Sequence, residues 1–421
     1  MNSKTISRNA AYVWVWLPGS IEPVVAGRIS KSSDQYLFNY GQSYLALKNA
    51  IPIYTNELPL QSGFIPPLKD LKIAGCLRDG APDAWGRRVI INRLVNTPGS
   101  KTGIDEADEL LFMLASGSNR MGAIDFQESA TSYSARIKEN ATLDELINSV
   151  DRVEAGIPLT PELDNALFHG SSIGGARPKA QIQDDEKQYI AKFSSSSDTT
   201  PVVKAEYIAM RLAAEVGLNV APVKLKQIAG RDVLLVERFD RVKSSQGWQR
   251  RAMVSALTIF ELDELMARYA SYEDLAESIR LNFTNPKSTL RELFGRLVFN
   301  VLSGNTDDHA RNHAAFWDGN QLTLTPAYDI CPQNRTGREA SQAMQIRGDR
   351  NLSKLELCVE SAANYSLSGE DARAIVSDQI SIIKNKWESI CDEANFDQTS
   401  RKIYWGRQFL NPFSIEGFEN T

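Results

Sequence analysis

The chain has 421 residues, 42% apolar and 24% charged, a length that suggests two or three domains and a composition ordinary for a globular protein, in which nothing points to disorder. Lys and Arg total 47 against 52 Asp and Glu, a net charge of −5, which argues against binding nucleic acid over a broad face because phosphate neutralisation needs clustered cations. The four cysteines, Cys76, Cys331, Cys358 and Cys391, form no CxxC pair, so neither a disulfide framework nor a zinc knuckle is indicated, and reduced thiols in a cytoplasmic protein are expected.

The first apolar stretch, "AAYVWVWLPG" (10–19), follows Lys4 and Arg8 but is short, rich in Trp and lacks a small-residue cleavage site, so it reads as a buried strand and not a signal peptide. No apolar run approaches the length of a membrane span. "SYLALK" (43–48) also has strand character. "LRDGAPDAWGRRVIINRLV" (77–95) opens as a turn and continues as an amphipathic helix, with Pro82 at an early position and Asp83 at the positive end. "ATLDELINSVDRVEAG" (141–156) reads as a helix ending at Gly156, and the first domain boundary falls beside it, near residue 145.

A glycine-rich turn and two strands joined at Asp184–Lys187 are expected in "SSIGGARPKAQIQDDEKQYIAKF" (171–193). The next helix has Thr200 as its N-cap, Pro201 at the first helical position and Gly217 just past its end. "RDVLLVERFDR" (231–241) is a buried strand that ends in charge, and a second boundary is placed at 240. In the helical remainder, Thr289 and Glu292 form a capping box. Leu290, Leu293, Phe294, Leu297, Val298 and Val301 then make one apolar helical face that Gly304 terminates.

"GNTDDHARNHA" (304–314) follows directly. His309 and His313 have the spacing of H-E-x-x-H zinc sites, but Ala310 stands where the general base belongs; an EF-hand also fails for want of its glycine and terminal glutamate. Phosphoryl transfer fits better. Kinase chemistry needs an Asp near the attacking hydroxyl, an Asn five residues later for Mg²⁺, and a second metal-binding Asp further on. Asp307 and Asn312 have that spacing, and a hairpin turning at Asp318–Gly319 delivers Asp329 at the end of its second strand. Upstream, Gly174 and Gly175, Lys192 and Glu206 stand in kinase order. Each has a plainer reading: Asp307 as a cap, Lys192 as a strand-edge lysine, Glu206 as a solvated helix residue. The ordered set is what points to phosphotransfer. Asp308 and His313 are read as solvated or structural, and His309 either touches a phosphate or braces the loop.

"SSIGGARPKA", "YIAKF", "VERFDR", "GNTDDHARN" and "PAYDI", with "PDAWGRR" nearer the N-terminus, resemble the HipA family of serine/threonine kinase toxins of bacterial toxin–antitoxin systems. The resemblance implies an α+β, protein-kinase-like bilobal fold: an added N-terminal subdomain (1–145), an N-lobe with the glycine-rich loop (146–240) and a helical C-lobe with the catalytic loop (241–421). It implies ATP and Mg²⁺ as cofactors, Asp307 as catalytic base, and Asn312 and Asp329 as metal ligands. Lys192 becomes the ATP-phosphate lysine, Glu237 and Phe239 the adenine contacts, and Ile173, Gly174, Gly175 and His309 further nucleotide contacts. Ser172, or Ser171 beside it, matches a loop serine whose autophosphorylation inactivates the enzyme. A helix-turn-helix, HipB-like antitoxin that carries the operator-DNA contacts, and a translation component such as an aminoacyl-tRNA synthetase as substrate, are the implied partners. Thr306 replaces the Arg that precedes the base in ordinary protein kinases, and Asp329 is followed by Ile330 and Cys331, so control by an activation-loop phosphate is not expected. A small-molecule kinase, which shares the Asp-x-x-x-x-Asn spacing, and a non-catalytic scaffold of a repressor complex are the alternative readings.

Overall fold

Alternation of large apolar residues makes Ala10–Val15 a strand, β1, in the computed structural model, which describes residues 9–96, 108–136, 142–155, 157, 177–195 and 198–418. β1 lies inside an antiparallel sheet between β2 (Val24–Ser32) and β4 (Ile124–Gln127), with β3 (Gln35–Tyr40) on the far side of β2. The strand expected at 43–48 is instead one helical turn, Gln42–Leu45. Tyr44 decides this: it is buried, its ring is stacked on Tyr40 at 5.6 Å, and its hydroxyl donates to the Ile51 carbonyl at 2.7 Å. Tertiary burial overrides the strand propensity of so short a segment.

Of three further helices, two precede β4 in the chain and one follows it. α1 (Ala84–Asn96) begins just after Pro82 and Asp83, and α2 (Glu109–Ala115) is capped by the Asp108 side chain. α3 (Leu143–Glu154) opens with a capping box: the Thr142 hydroxyl accepts the Glu145 N–H at 3.2 Å, and the Glu145 carboxylate accepts the Thr142 N–H at 2.8 Å. β5 (Lys179–Gln183) and β6 (Gln188–Phe193) form the expected hairpin, and β7 (Arg231–Glu237) pairs with β6. One face of these strands (Ala180, Ala191, Phe193, Val233 and Leu235) is buried against Trp85 and Val89 of α1 and Leu146, Val150 and Val153 of α3. Each large apolar side chain so buried is worth about 1.5–3 kcal/mol. The opposite face carries Lys179 and Lys192 side by side across the pair, both buried. A second hairpin, β8 (Arg241–Ser244) and β9 (Gly247–Arg250), completes this part.

The chain divides into two units: one comprises Met1–Ser197, Gln227–Val254 and Trp317–Asn320, the other Asp198–Lys226, Ser255–Phe316 and Gln321–Thr421. The second is mostly helical. Its α4 (Val202–Glu215) starts one residue later than the sequence suggests. Pro201 occupies the N-cap, and the Thr200 hydroxyl is not a cap because it accepts from the Tyr404 hydroxyl at 3.2 Å. Gly217 does end the helix, at φ 86°, with the Leu218 and Gly217 N–H groups bonded back to the Ala213 and Ala214 carbonyls. α5 (Tyr272–Asn282) precedes α6 (Pro286–Ser303), and α7 (Gly369–Glu393) is the longest helix of this unit.

All six apolar residues of the predicted α6 face are buried. The predicted capping box is not formed. The helix starts a turn earlier, with Pro286 in its first turn, because the fixed φ of proline suits a helix start. Thr289 then donates to the Asn285 carbonyl at 2.7 Å, and Glu292 accepts from Arg296 at 2.8 Å. Among the described residues no helix is long and apolar enough to cross a membrane, and all four cysteines are buried free thiols.

Candidate active site

Gly304 stops α6 in the left-handed conformation, at φ 68°, and a Cβ added there would lie 2.7 Å from the Gln408 carbonyl oxygen. Glycine is required by both torsion and space. The loop beyond it is pinned along its length. The Gly304 carbonyl accepts the Gln333 N–H at 3.0 Å, the Thr306 carbonyl accepts the Ala343 N–H at 3.0 Å, and the Asn305 amide donates to Asn300 at 2.9 Å.

This rigid loop presents Asp307 to solvent and buries its neighbour Asp308. The Asn312 side-chain amide donates to the Asp307 carbonyl oxygen at 3.2 Å, so the two residues singled out by spacing are held together. Tyr328 donates to the Arg311 carbonyl at 2.7 Å, which ties the segment before Asp329 to the same loop. Asp329 does not end the second strand of the hairpin, Ala314–Trp317 and Leu322–Leu324, as expected. It lies past Leu324 in a left-handed conformation, φ 59°, which Asp tolerates better than most residues. Burial pushes the Asp307 carboxyl above the ordinary range; the charges of Asp329 and Asp308 add to this and His309 opposes it.

Solvation of Asp308 and His313 is ruled out, since both are buried. Asp308 accepts from the Tyr272 hydroxyl and lies 2.8 Å from His313 Nε2. Burial works against its charge, but His313 and the Tyr272 hydroxyl outweigh that and hold the carboxyl below its ordinary value. Tyr272, at the start of α5, was not legible as part of the site, because a tyrosine on a helical apolar face looks like core. His309 opens the 3₁₀ turn Ala310–Asn312, where its carbonyl accepts the Asn312 N–H at 2.8 Å. Its Nδ1 is buried without a partner among the described residues.

Lys192, Glu237 and Phe239 belong to the other unit. Lys192 is buried beside Lys179; the Glu237 carboxylate is engaged by Lys187 at 2.5 Å. Glu206, on α4, is buried and not solvated. Ser171, Ser172, Ile173, Gly174 and Gly175 lie outside the described residues.

The donor set on the loop fits Mg²⁺. Among the described residues no three His, Cys, Asp or Glu side chains converge as ligands, and Mg²⁺ is ordinarily held by one or two carboxylates together with substrate phosphates and water. Asp329 and Asn312 offer only hard oxygen donors, and the Asp329 charge, which adds to the upward push of burial on Asp307, is one a divalent cation would relieve.

The charge at the end of β7, read from the sequence as a strand end, is an internal network. Arg238 and Arg241 both donate to Asp240 at 2.8 Å, and Arg120 donates to Asp125 at 2.8 Å, all five side chains being almost fully buried.

Residues 15–127 match the model of the HipA N-terminal domain and residues 171–387 that of the HipA-like C-terminal domain. The chain is 31% identical over 156 residues to the Sinorhizobium fredii protein Y4mE, covering 34% of each. It is 28% identical over 184 residues to the serine/threonine-protein kinase toxin HipA of Shewanella oneidensis, covering 38% of this chain and 42% of that one. These stretches span less than half of those relatives' own length. The solved structure of Shewanella oneidensis HipA with HipB and operator DNA superposes with a TM-score of 0.67 at 19% identity, over 91% of this chain and 94% of that one. The chain belongs to the HipA family and has its α+β, kinase-like fold.

Proposed function

We propose that the chain is an ATP- and Mg²⁺-dependent serine/threonine kinase acting as the toxin of a toxin–antitoxin pair. The observation that carries this reading is the pinned loop that exposes Asp307, joins it to Asn312 and brings Asp329 within electrostatic reach. Asp307 accepts the proton of the substrate hydroxyl as that oxygen bonds to the γ-phosphorus and the bond to ADP breaks; its raised pKa makes it a better proton acceptor than an ordinary carboxylate. Asn312 and Asp329 hold Mg²⁺, which when bound neutralises charge on the phosphates. Lys192 pairs with a phosphate, and its buried neighbour Lys179 makes that face of the strand pair suitably cationic. With its carboxylate engaged by Lys187, Glu237 contacts adenine through its backbone, as does Phe239; His309 and the loop residues Ile173, Gly174 and Gly175 complete the nucleotide contacts.

Ser172, or Ser171, is autophosphorylated, and a phosphate there opposes ATP through about −1.5 to −2 added charges. The parts 1–145, 146–240 and 241–421 act as N-terminal subdomain, N-lobe and C-lobe. The protein works in the cytoplasm on a translation component such as an aminoacyl-tRNA synthetase. It is held by a helix-turn-helix antitoxin like the HipB that accompanies the Shewanella protein on its operator.

Purified protein and Asp307→Asn incubated with γ-labelled ATP and Mg²⁺, followed by mass spectrometry of the peptide carrying Ser171 and Ser172, test this. Label on a loop serine in the wild type alone is expected. No nucleotide binding in the presence of Mg²⁺ refutes the kinase reading.

A further inference from the structure

A cleft of about 470 Å³ opens in the first unit, and four arginines line it, Arg136, Arg238, Arg241 and Arg250, against a single carboxylate, the exposed Glu22. All of its lining residues fall within that unit. The two carboxylates behind it are already saturated. Asp240 accepts from the Gly122 N–H at 2.7 Å and from Arg238 and Arg241 at 2.8 Å. Asp125 accepts from Arg120 at 2.8 Å, Arg136 at 2.9 Å, Gln127 at 2.8 Å, Tyr133 at 3.1 Å and the Phe126 N–H at 2.8 Å. Four arginines, Arg120 and Arg136 on Asp125 and Arg238 and Arg241 on Asp240, thus share two buried carboxylates, and Arg250 bonds to neither.

Arg238 and Arg241 are consumed by this network, Arg238 through bonds to Asn119, Arg120 and Asp240 and Arg241 through bonds to Asn119, Gly122, Arg120 and Asp240. Arg136 and Arg250 are not. Arg136 uses Nε on the Ser116 carbonyl and Nη2 on Asp125 and the Phe126 carbonyl, so Nη1 has no acceptor among the described residues. Arg250 makes one such bond, from Nη1 to the Ser118 carbonyl at 2.9 Å, and its guanidinium carbon stands over Trp16, 3.5 Å from the ring centre. Both guanidinium groups are therefore anchored to the same three-residue stretch, 116–118, on one wall of the cleft, each with donors left over. Burial pushes Arg250 down to about 10, and nearby Arg238 adds to this while Tyr133, Asp125 and Asp240 oppose it.

We infer that this cleft binds a small phosphate monoester, its phosphoryl oxygens taken by Arg136 and Arg250. Guanidinium forks match phosphate geometry, and charge-assisted bonds of this kind are about twice as strong as neutral ones. The cleft is larger than one phosphate group and sits in the range of small-molecule sites, roughly 300–1,000 Å³, so the body of the ligand lies over the Trp16 and Trp248 side of the lining. The excess positive charge, otherwise a cost to folding, is what such a ligand relieves.

Isothermal titration calorimetry of the full chain with inorganic phosphate and with ribose 5-phosphate, without ATP or Mg²⁺ and at constant ionic strength set by NaCl, tests the site. Binding is expected, stronger for ribose 5-phosphate, and weakened about tenfold or more by Arg136→Gln and by Arg250→Gln, the loss of one charge-assisted contact. Lys192→Met and Asp307→Asn should leave it unchanged, so failure of the kinase reading would not disturb the result. Arg250→Lys, which keeps the charge, guards against a variant that fails to fold, and each variant's thermal melt is recorded alongside. Absence of heat with millimolar ligand, equal affinity in the wild type and the Arg136→Gln variant, or loss in Lys192→Met instead, overturns the inference.

Discussion

Replacing Asp240 by asparagine puts the buried arginine network to a quantitative test. The carboxylate is fully buried and accepts four hydrogen bonds, one from the Gly122 N–H and three from Arg238 and Arg241. An asparagine of the same shape keeps one acceptor, turns an NH₂ toward guanidinium donors, and leaves two buried cations facing each other. Breaking a buried ion pair from one side costs about 3–5 kcal/mol, a large share of a total stability of roughly 5–15 kcal/mol. The pH dependence gives a second handle. Burial raises the Asp240 carboxyl but Arg238 and Arg241 outweigh it and bring it from 3.8 to about 2. As pH falls the unfolded chain therefore takes up the proton first. The stabilisation, roughly 2 kcal/mol at 1.36 kcal/mol per pKa unit, is complete above pH 4 or so and is lost as pH falls through about 2. Urea unfolding followed by tryptophan fluorescence, at neutral pH and at a series of acid pH values, measures both. The Asn variant should show a lower midpoint with unchanged slope against urea, and a smaller loss of stability in acid than the wild type. A destabilisation under about 1 kcal/mol, or an acid dependence identical in the two proteins, would refute the view that this carboxylate holds the network together.

Gly304→Ala should cost about 2 kcal/mol or more, from a left-handed torsion that disfavours a Cβ by about 1–2 kcal/mol and from the contact with the Gln408 backbone; a melt unchanged from wild type would contradict this. Asp308→Asn should destabilise the second unit by about 3 kcal/mol through the loss of the charge shared with His313 and Tyr272. Because the same loop carries Asp307, the proposed autophosphorylation should slow in kcat with little change in KM for ATP, and a change in KM alone would place Asp308 outside the positioning of the proposed base.

The parts of the molecule that were legible in the sequence are those where local chemistry alone decides the structure. The α6 face was readable because burial repeats with helical period, and Gly217 and Gly304 because a positive φ past a helix end admits little else. That Asp307 and Asn312 come together was readable because only five positions of one loop separate them, whatever the rest of the fold does. Helix starts were less so. Thr200 and Thr289 both look like caps, yet one hydroxyl is taken by Tyr404, 204 residues away, and the other folds back on Asn285 once Pro286 has begun the helix. The charged tail of β7 shows the same limit on a larger scale. The sequence reads there as a buried strand that ends in charge, and nothing near Arg238, Asp240 and Arg241 announces that Arg120 and Asp125 will be folded in beside them. A cluster of charge in sequence is solvated unless distant residues complete it. Where they do, the cost of burying it is so high that an incomplete balance, such as the surplus donors on Arg136 and Arg250, becomes the more informative observation.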